Sequence, residues 1–323
     1  MDHALAFWIA AIGRGELRQE PLPAPADSEV VVQTLYSGVS RGTESLVFFG
    51  HVPPSEFVRM RAPFQRGEFP VPVKFGYCSV GRVLLGPTHL RDATVFCLYP
   101  HQDRYCVPAS AVQPLPDGVP ASRAILAANA ETALNAVWDA GVQPGDRVAV
   151  IGAGSVGMLV AWLVAKIPRC ELQLIDRNPA RALVASRLGL PFATPDRARG
   201  DAAHVLHATG SADGLRLALR LAGDEACITE LSWYGDQLIA LPLGEDFHSR
   251  RLTLRSSQVG AVARSQRLRF TRSQRLGLAL QLLDDPALDA LIDSESHFLD
   301  LPRLYPQLLS DAGNSIMHRI RYD

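Results

Sequence analysis

The chain has 323 residues, about twice the usual single-domain size, so two domains with separate cores are expected and a small disulfide-held scaffold is excluded. With 47% hydrophobic and 20% charged residues and a net charge of −1, the composition is not that of a disordered chain, and no nucleic-acid partner is expected. No apolar run reaches the roughly 18 to 20 residues that cross a bilayer, and Met1-Asp2-His3-Ala4-Leu5 lacks the features of a secretory signal, so a cytoplasmic chain without membrane contact is expected.

Residues 1 to about 118 are rich in proline and glycine. The apolar runs Val30 to Leu35, Val80 to Leu85 and Ala93 to Leu98, each bounded by turn signals, predict strands of a largely antiparallel domain. Pro114-Leu115-Pro116-Asp117-Gly118-Val119-Pro120 reads as a linker. Beyond it, Ala121 to Ala140 has helical spacing and stops at Gly141. A strand from Arg147 to Gly152, a helix from about Val156 to Lys166 and a strand from Glu171 to Asp176 form a βαβ unit. Strand Ala202 to Ala208, helix Ala212 to Leu221, and strands Ala226 to Leu231 and Arg251 to Ser256 extend it to a doubly wound parallel sheet, an α/β fold over about 140 to 260. Helices near 273–284 and 301–310 and a strand from Met317 to Tyr322 close the chain. Arg264 to Arg275 is a basic stretch in a chain that is not basic overall. The five cysteines, Cys78, Cys97, Cys106, Cys170 and Cys227, are odd in number and include no C-x-x-C pair, which argues against a disulfide framework and a zinc ribbon. Lys74 and Lys166 are the only lysines, which leaves Schiff-base chemistry two candidate amines.

Gly152-Ala153-Gly154-Ser155-Val156-Gly157 matches G-x-G-x-x-G after a buried strand and before a helix. Gly152 permits the tight turn, Gly154 lets backbone amides approach a pyrophosphate, and Gly157 allows the helix to pack on the strand. The helix N-terminus at Ser155 and Val156 then faces the phosphates with about half a positive charge. Asp176 ends the second strand, where a carboxylate accepts the adenosine ribose hydroxyls. It would repel a 2′-phosphate, so NAD(H) is favoured over NADP(H). Arg177 beside it either offsets that repulsion in part or stacks on adenine. The alternative is a glycine turn that serves helix packing only.

With those residues in place, the chain resembles the medium-chain dehydrogenase/reductase superfamily over essentially its whole length. Ser37-Gly38-Val39-Ser40-Arg41-Gly42-Thr43-Glu44 is similar to the C-G-I-C-G-T-D segment of that superfamily. Phe75-Gly76-Tyr77-Cys78-Ser79-Val80-Gly81-Arg82-Val83 is similar to G-H-E-x-x-G-x-V, and Val142-Gln143-Pro144-Gly145-Asp146-Arg147-Val148 precedes the nucleotide fold. The resemblance implies a GroES-like, mainly β domain over 1–128, a Rossmann NAD-binding domain over 129–262, and a return to the first domain over 263–323. Within the superfamily the S-G-x-S-x-G-T-E and G-Y-x-S-V-G-R-V forms look most like the bacteriochlorophyllide 3-hydroxyethyl dehydrogenase group. Neither form identifies this chain's substrate.

Zinc enzymes of the superfamily use three side-chain ligands and keep a fourth position open. The resemblance puts those ligand positions on Ser40 or Arg41, on Tyr77, and near Ala128, none a competent zinc ligand, so no metal is expected. A hydroxyl must then polarise the carbonyl, and Tyr77 and Thr43, at positions that point into the cleft, are the leading candidates beside Ser40. For Tyr77 the alternative is a pocket wall, and for Thr43 a turn hydrogen bond. The relay histidine of the zinc enzymes falls on Leu46; His51 either replaces it or lies on the surface. Glu44 anchors the Ser40 to Thr43 turn or pairs with an arginine. The resemblance also implies that Thr132 packs on the nicotinamide ring, on the helix carrying Glu131 and Asn135. Thr209, Gly210 and Ser211 would line the adenosine and ribose edge, and the segment Ser232-Trp233-Tyr234-Gly235 would hold the carboxamide. Phe48, Phe49, Met60, Phe64 and Phe69 make the loop before Gly76 apolar, as cover for an apolar substrate or as a dimer contact.

The expected function is a zinc-independent, NAD(H)-dependent interconversion of a secondary alcohol and a ketone. A quinone or enone reductase and a non-catalytic dinucleotide-binding protein are the alternatives. A homodimer is expected through sheet edges near Ile228 to Leu243, with Leu238-Ile239-Ala240-Leu241 as the apolar edge.

Overall fold

The computed structural model describes residues 3–310 and 314–323. One unit takes the chain to Ala128 and adds Leu280–Asp284 and Ile292–Asp323; the other holds Asn129–Ala279 and Asp285–Leu291. In the first, the strand Glu29–Val39 is central. Its valines Val30 and Val32 are fully buried and pack with Val83, Val95 and Tyr105, and Val31 between them is buried too, so this part of the strand is covered on both faces. It pairs antiparallel with Ser79–Leu85, with Arg104–Pro108 and with Met317–Arg321. The sheet runs on to Val112–Pro114 at one edge and Ile292–His297 at the other. A second sheet is built on the hairpin His3–Ala11 and Arg14–Pro21, which the apolar-run criterion misses because its second strand alternates charged residues that stay largely half-buried.

The second unit contains six parallel strands. They lie in the order Phe192–Ala193, Glu171–Ile175, Arg147–Ile151, Ala202–His207, Ala222–Glu230, Thr253–Ser256. After its first residue Arg147–Ile151 is wholly apolar and buried, as a central strand covered on both faces must be. Connections leave this strand in opposite directions on its two sides, so the carboxyl ends of the strands around it form the switch point at which such sheets bind ligands. The single helix expected over 121–140 is divided into Ala121–Ala124 and Ala127–Ala140 and stops at Gly141, whose φ of +72° ends it in the left-handed region.

Two expectations need correcting. Ala222–Glu230 is paired on both sides, so the edge of the parallel sheet is Thr253–Ser256, exposed along its length, and not the region near 228–243. Leu238 to Leu241 form loop, in which Leu238 is fully exposed while Ile239 and Leu241 pack on the core. Within the basic stretch, Arg275 is buried: its guanidinium donates to Glu131 at 3.0 Å, to Asn135 at 2.6 Å and to the carbonyls of Ala261 and Val259. Among the described residues no helix is long and apolar enough to cross a membrane.

Candidate functional site

At the carboxyl end of Arg147–Ile151 the three glycines meet three different constraints. Gly152 has φ of +106°, and a β-carbon there would stand 2.8 Å from the Ala208 carbonyl oxygen. A β-carbon on Gly157 would stand 1.8 Å from the Gly152 carbonyl oxygen, an overlap that only glycine avoids. Gly154 has nothing within 4 Å of its missing side chain and precedes the helix Ser155–Val164. Ser155 and Val156 form its first turn, and Asn129 Nδ2 donates to Ser155 Oγ at 2.7 Å. Asp176 closes the turn from the neighbouring strand: Oδ2 accepts from the Ala153 amide at 2.7 Å and Oδ1 from the Asn178 amide at 2.8 Å. Arg177 is exposed beside it. Open space at Gly154, helix amides behind it and a carboxylate at its flank fit a dinucleotide with a free ribose diol.

The other residues expected around the cofactor divide. Thr132 is half-buried on Ala127–Ala140, but Glu131 and Asn135 of that helix are taken up by Arg275. Thr209, Gly210 and Ser211 follow Ala202–His207, with Thr209 exposed. Trp233 is half-buried, and the Tyr234 hydroxyl turns inward to donate to Glu230 Oε2 at 2.9 Å.

The first unit holds the three catalytic candidates together. The Ser40 and Thr43 side chains lie close enough to the Tyr77 phenol to act on its ionisation. Ser40 to Thr43 is not a turn: Ser40 is the N-cap of the helix Arg41–Phe48, which puts Thr43 in its first turn. Burial, more than the nearby Cys78 and Glu44, raises the Tyr77 pKa well above the usual phenol value, against the opposing effect of Ser40 and Thr43, so the phenol keeps its proton. Glu44 is fully buried and anchors this segment through Oε1, which accepts from the Ser40 amide at 2.7 Å. Its partner is not an arginine. Oε2 lies 3.0 Å from His101 Nε2 and accepts from the Tyr305 hydroxyl.

His101 is the residue that sequence reasoning missed. It is fully buried, its Nδ1 lies 2.8 Å from Ser37 Oγ, and it packs on Gly76, where a β-carbon would come within 3.0 Å of the ring. No spacing rule links a histidine in Tyr99-Pro100-His101 to Tyr77, so nothing in the sequence marked it. His51 is exposed. Cys78 is fully buried, and desolvation pushes its thiol well above the ordinary value. Hydroxyls at Ser40 and Tyr77 and a methyl at Ala128 do not fit zinc, which takes thiolate, imidazole or carboxylate donors. Among the described residues, no three side chains of His, Cys, Asp or Glu group as metal ligands.

No profile of a known protein family matches the chain. Curated relatives do. L-galactonate-5-dehydrogenase of Escherichia coli (strain K12) is 24% identical over 275 residues, 75% of this chain and 79% of that protein. Sorbitol dehydrogenase of Ovis aries is 25% identical over 218 residues, 56% of this chain and 58% of its own. L-threonine 3-dehydrogenase of Rhizobium rhizogenes (strain K84 / ATCC BAA-868) is 27% identical, but over only 36% of this chain and 34% of that protein. Among solved structures, L-idonate 5-dehydrogenase from Escherichia coli K-12 superposes with a TM-score of 0.81 at 14% identity, covering 99% of both chains. The fold is that of the medium-chain, zinc-type alcohol dehydrogenase-like superfamily. An alcohol dehydrogenase of Escherichia coli CFT073 complexed with NADH (TM-score 0.79, 14% identity, all of both chains) and a dehydrogenase of Sinorhizobium meliloti 1021 bound to NADP (TM-score 0.77, 16% identity, 99% of this chain and all of that one) share it. These relatives support an alcohol dehydrogenase-like oxidoreductase, and two of the neighbouring structures hold a nicotinamide dinucleotide.

Proposed function

We propose that the chain is a zinc-independent, NAD(H)-dependent oxidoreductase that interconverts a secondary alcohol and a ketone. The observation that carries the reading is the hydroxyl cluster of Tyr77, Ser40 and Thr43, of which Ser40 and Tyr77 fall at positions where the resemblance puts metal ligands. Bound NAD(H) supplies the site that accepts or gives hydride. The chain has to supply a donor for the oxygen on which negative charge grows. Tyr77, held protonated by burial, is that donor; the Ser40 and Thr43 hydroxyls fix its direction and can replace the proton it passes on. Asp176 pairs with a free 2′-hydroxyl and opposes a phosphate, which supports NAD(H) over NADP(H).

Phe49, Met60 and Phe64 stay partly exposed in the loop before Gly76, which supports an apolar small-molecule substrate. A net charge of −1 supports neither a nucleic acid nor a membrane surface as partner, and the reading includes a homodimer in the cytoplasm.

Tryptophan-fluorescence titration with NADH and NADPH, followed by NADH oxidation against panels of ketones and enones, tests this reading. NADH should bind more tightly, Asp176→Ala should narrow the gap, and turnover should be found with ketones. Tighter NADPH binding refutes the cofactor assignment, turnover confined to enones refutes the alcohol assignment, and NADH binding without any turnover favours a non-catalytic role.

A further inference from the structure

Two polar residues end neighbouring strands of the parallel sheet. His207 closes Ala202–His207, Glu230 closes Ala222–Glu230, and they are direct partners in the register. Both face the loops at the ligand-binding end of the sheet. His207 is fully buried, with Nδ1 2.7 Å from Glu230 Oε2 and Nε2 2.6 Å from Thr209 Oγ1. Glu230 accepts further bonds from the Ser232 amide at 2.7 Å and the Tyr234 hydroxyl at 2.9 Å. The Gly210 amide donates to Ser232 Oγ at 2.9 Å, so the pair stitches the two loops together.

The proton order follows from the donors. A carboxylate only accepts, so the ring proton sits on His207 Nδ1, facing Glu230. In that tautomer Nε2 is bare and takes the proton of the Thr209 hydroxyl. Thr209 Oγ1 is left as an acceptor, 2.8 Å from Ser211 Oγ and 3.1 Å from the Ser211 amide. Ser211 Oγ accepts from the Gly214 amide at 3.1 Å, so its own proton is the one free to turn either to Thr209 or outward. When it turns outward, the two hydroxyls offer one acceptor and one donor side by side. That pattern matches a ligand hydroxyl, which both gives and takes a hydrogen bond, and not a phosphate, which only takes. The threonine also borders the dinucleotide turn, since a β-carbon on Gly152 would stand 3.0 Å from Thr209 Cγ2.

We infer that Glu230 and His207 are a positioning pair that orients the Thr209 and Ser211 hydroxyls to hold a ribose hydroxyl of the dinucleotide. The inference rests on the NAD(H) reading above and adds to it the group recognised and the residues that set its recognition. His207 and Glu230 touch no ligand in this account and act through Thr209.

Calorimetric titration of the full chain with NADH and with ADP-ribose, in wild type, Thr209→Val, Thr209→Ser, His207→Gln and the His207→Gln/Thr209→Val double variant, tests it. Loss of one such hydrogen bond weakens binding by about fivefold. Thr209→Val and His207→Gln should each lose about that factor for both ligands, Thr209→Ser should keep wild-type affinity, and the double variant should lose no more than Thr209→Val alone. Unchanged affinity in Thr209→Val, additive losses in the double variant, or a loss confined to NADH and absent with ADP-ribose overturns the inference. Thr209 is exposed, so its variants keep the test decisive even if His207→Gln does not fold. A wild-type chain that binds neither ligand overturns the NAD(H) reading itself, and the inference with it.

Discussion

Single atoms separate the two roles of glycine in the dinucleotide turn. At Gly157 the missing β-carbon is required by the fold, because a methyl there would overlap the Gly152 carbonyl. At Gly154 nothing in the protein stands in the way, and its φ of −83° suits any residue. Gly157→Ala should therefore lower the urea midpoint, whereas Gly154→Ala should leave it nearly unchanged yet weaken NADH binding, because only the ligand needs that space. Equal stability losses in the two variants would count against this division. Tyr77 is the other residue on which the account turns. Tyr77→Phe removes one donor to a developing alkoxide, for which a loss on the order of a hundredfold in turnover is expected, with NADH affinity preserved. Full activity in Tyr77→Phe would demote the phenol to a pocket wall and leave Thr43 as the polarising group.

Individual elements show what could be read from sequence and what could not. The glycine turn, the carboxylate after the second parallel strand and the strand-helix alternation are local patterns, and each lies where its spacing predicted. Glu44 anchoring Ser40 was equally legible, four residues apart. The groups on the other oxygen of Glu44 were not, because His101 and Tyr305 arrive from distant segments, and long-range pairing leaves no periodicity to detect. His207 and Glu230 lie in between: a polar residue at the end of each of two parallel strands could be read from the sequence, but their pairing required the register.

One element pair carries a pH dependence. His318 in Met317–Arg321 is held by Ser294 Oγ at 2.8 Å and Ser296 Oγ at 2.9 Å from Ile292–His297. Burial, aided by the neighbouring His101 and opposed by Asp293 and Glu295, lowers its pKa from 6.5 to about 4. The folded state thus binds fewer protons than the unfolded state between those values. Stability from this site is complete above pH 6.5 and is lost as pH falls toward 4. Urea midpoints between pH 7 and pH 4 should fall more steeply in wild type than in His318→Gln; parallel slopes would show that His318 does not contribute.

For the whole molecule, the open edge of the parallel sheet sets the expected assembly. Thr253–Ser256 presents unpaired backbone groups, with Leu254 partly exposed among polar neighbours. Pairing with the same strand of a second copy across a two-fold axis would satisfy them. Light scattering at micromolar concentration should give a dimer, and Leu254→Pro, which removes an edge donor, should give a monomer that still binds NADH. A monomeric wild type contradicts this assembly.

If hydroxyl groups take the place of a metal in the proposed reaction, a strong chelator leaves it untouched. The rate of NADH oxidation with a ketone substrate should be unchanged after chelation and dialysis, and added zinc should not raise it. Loss of activity on chelation, restored by one equivalent of zinc, would contradict the account.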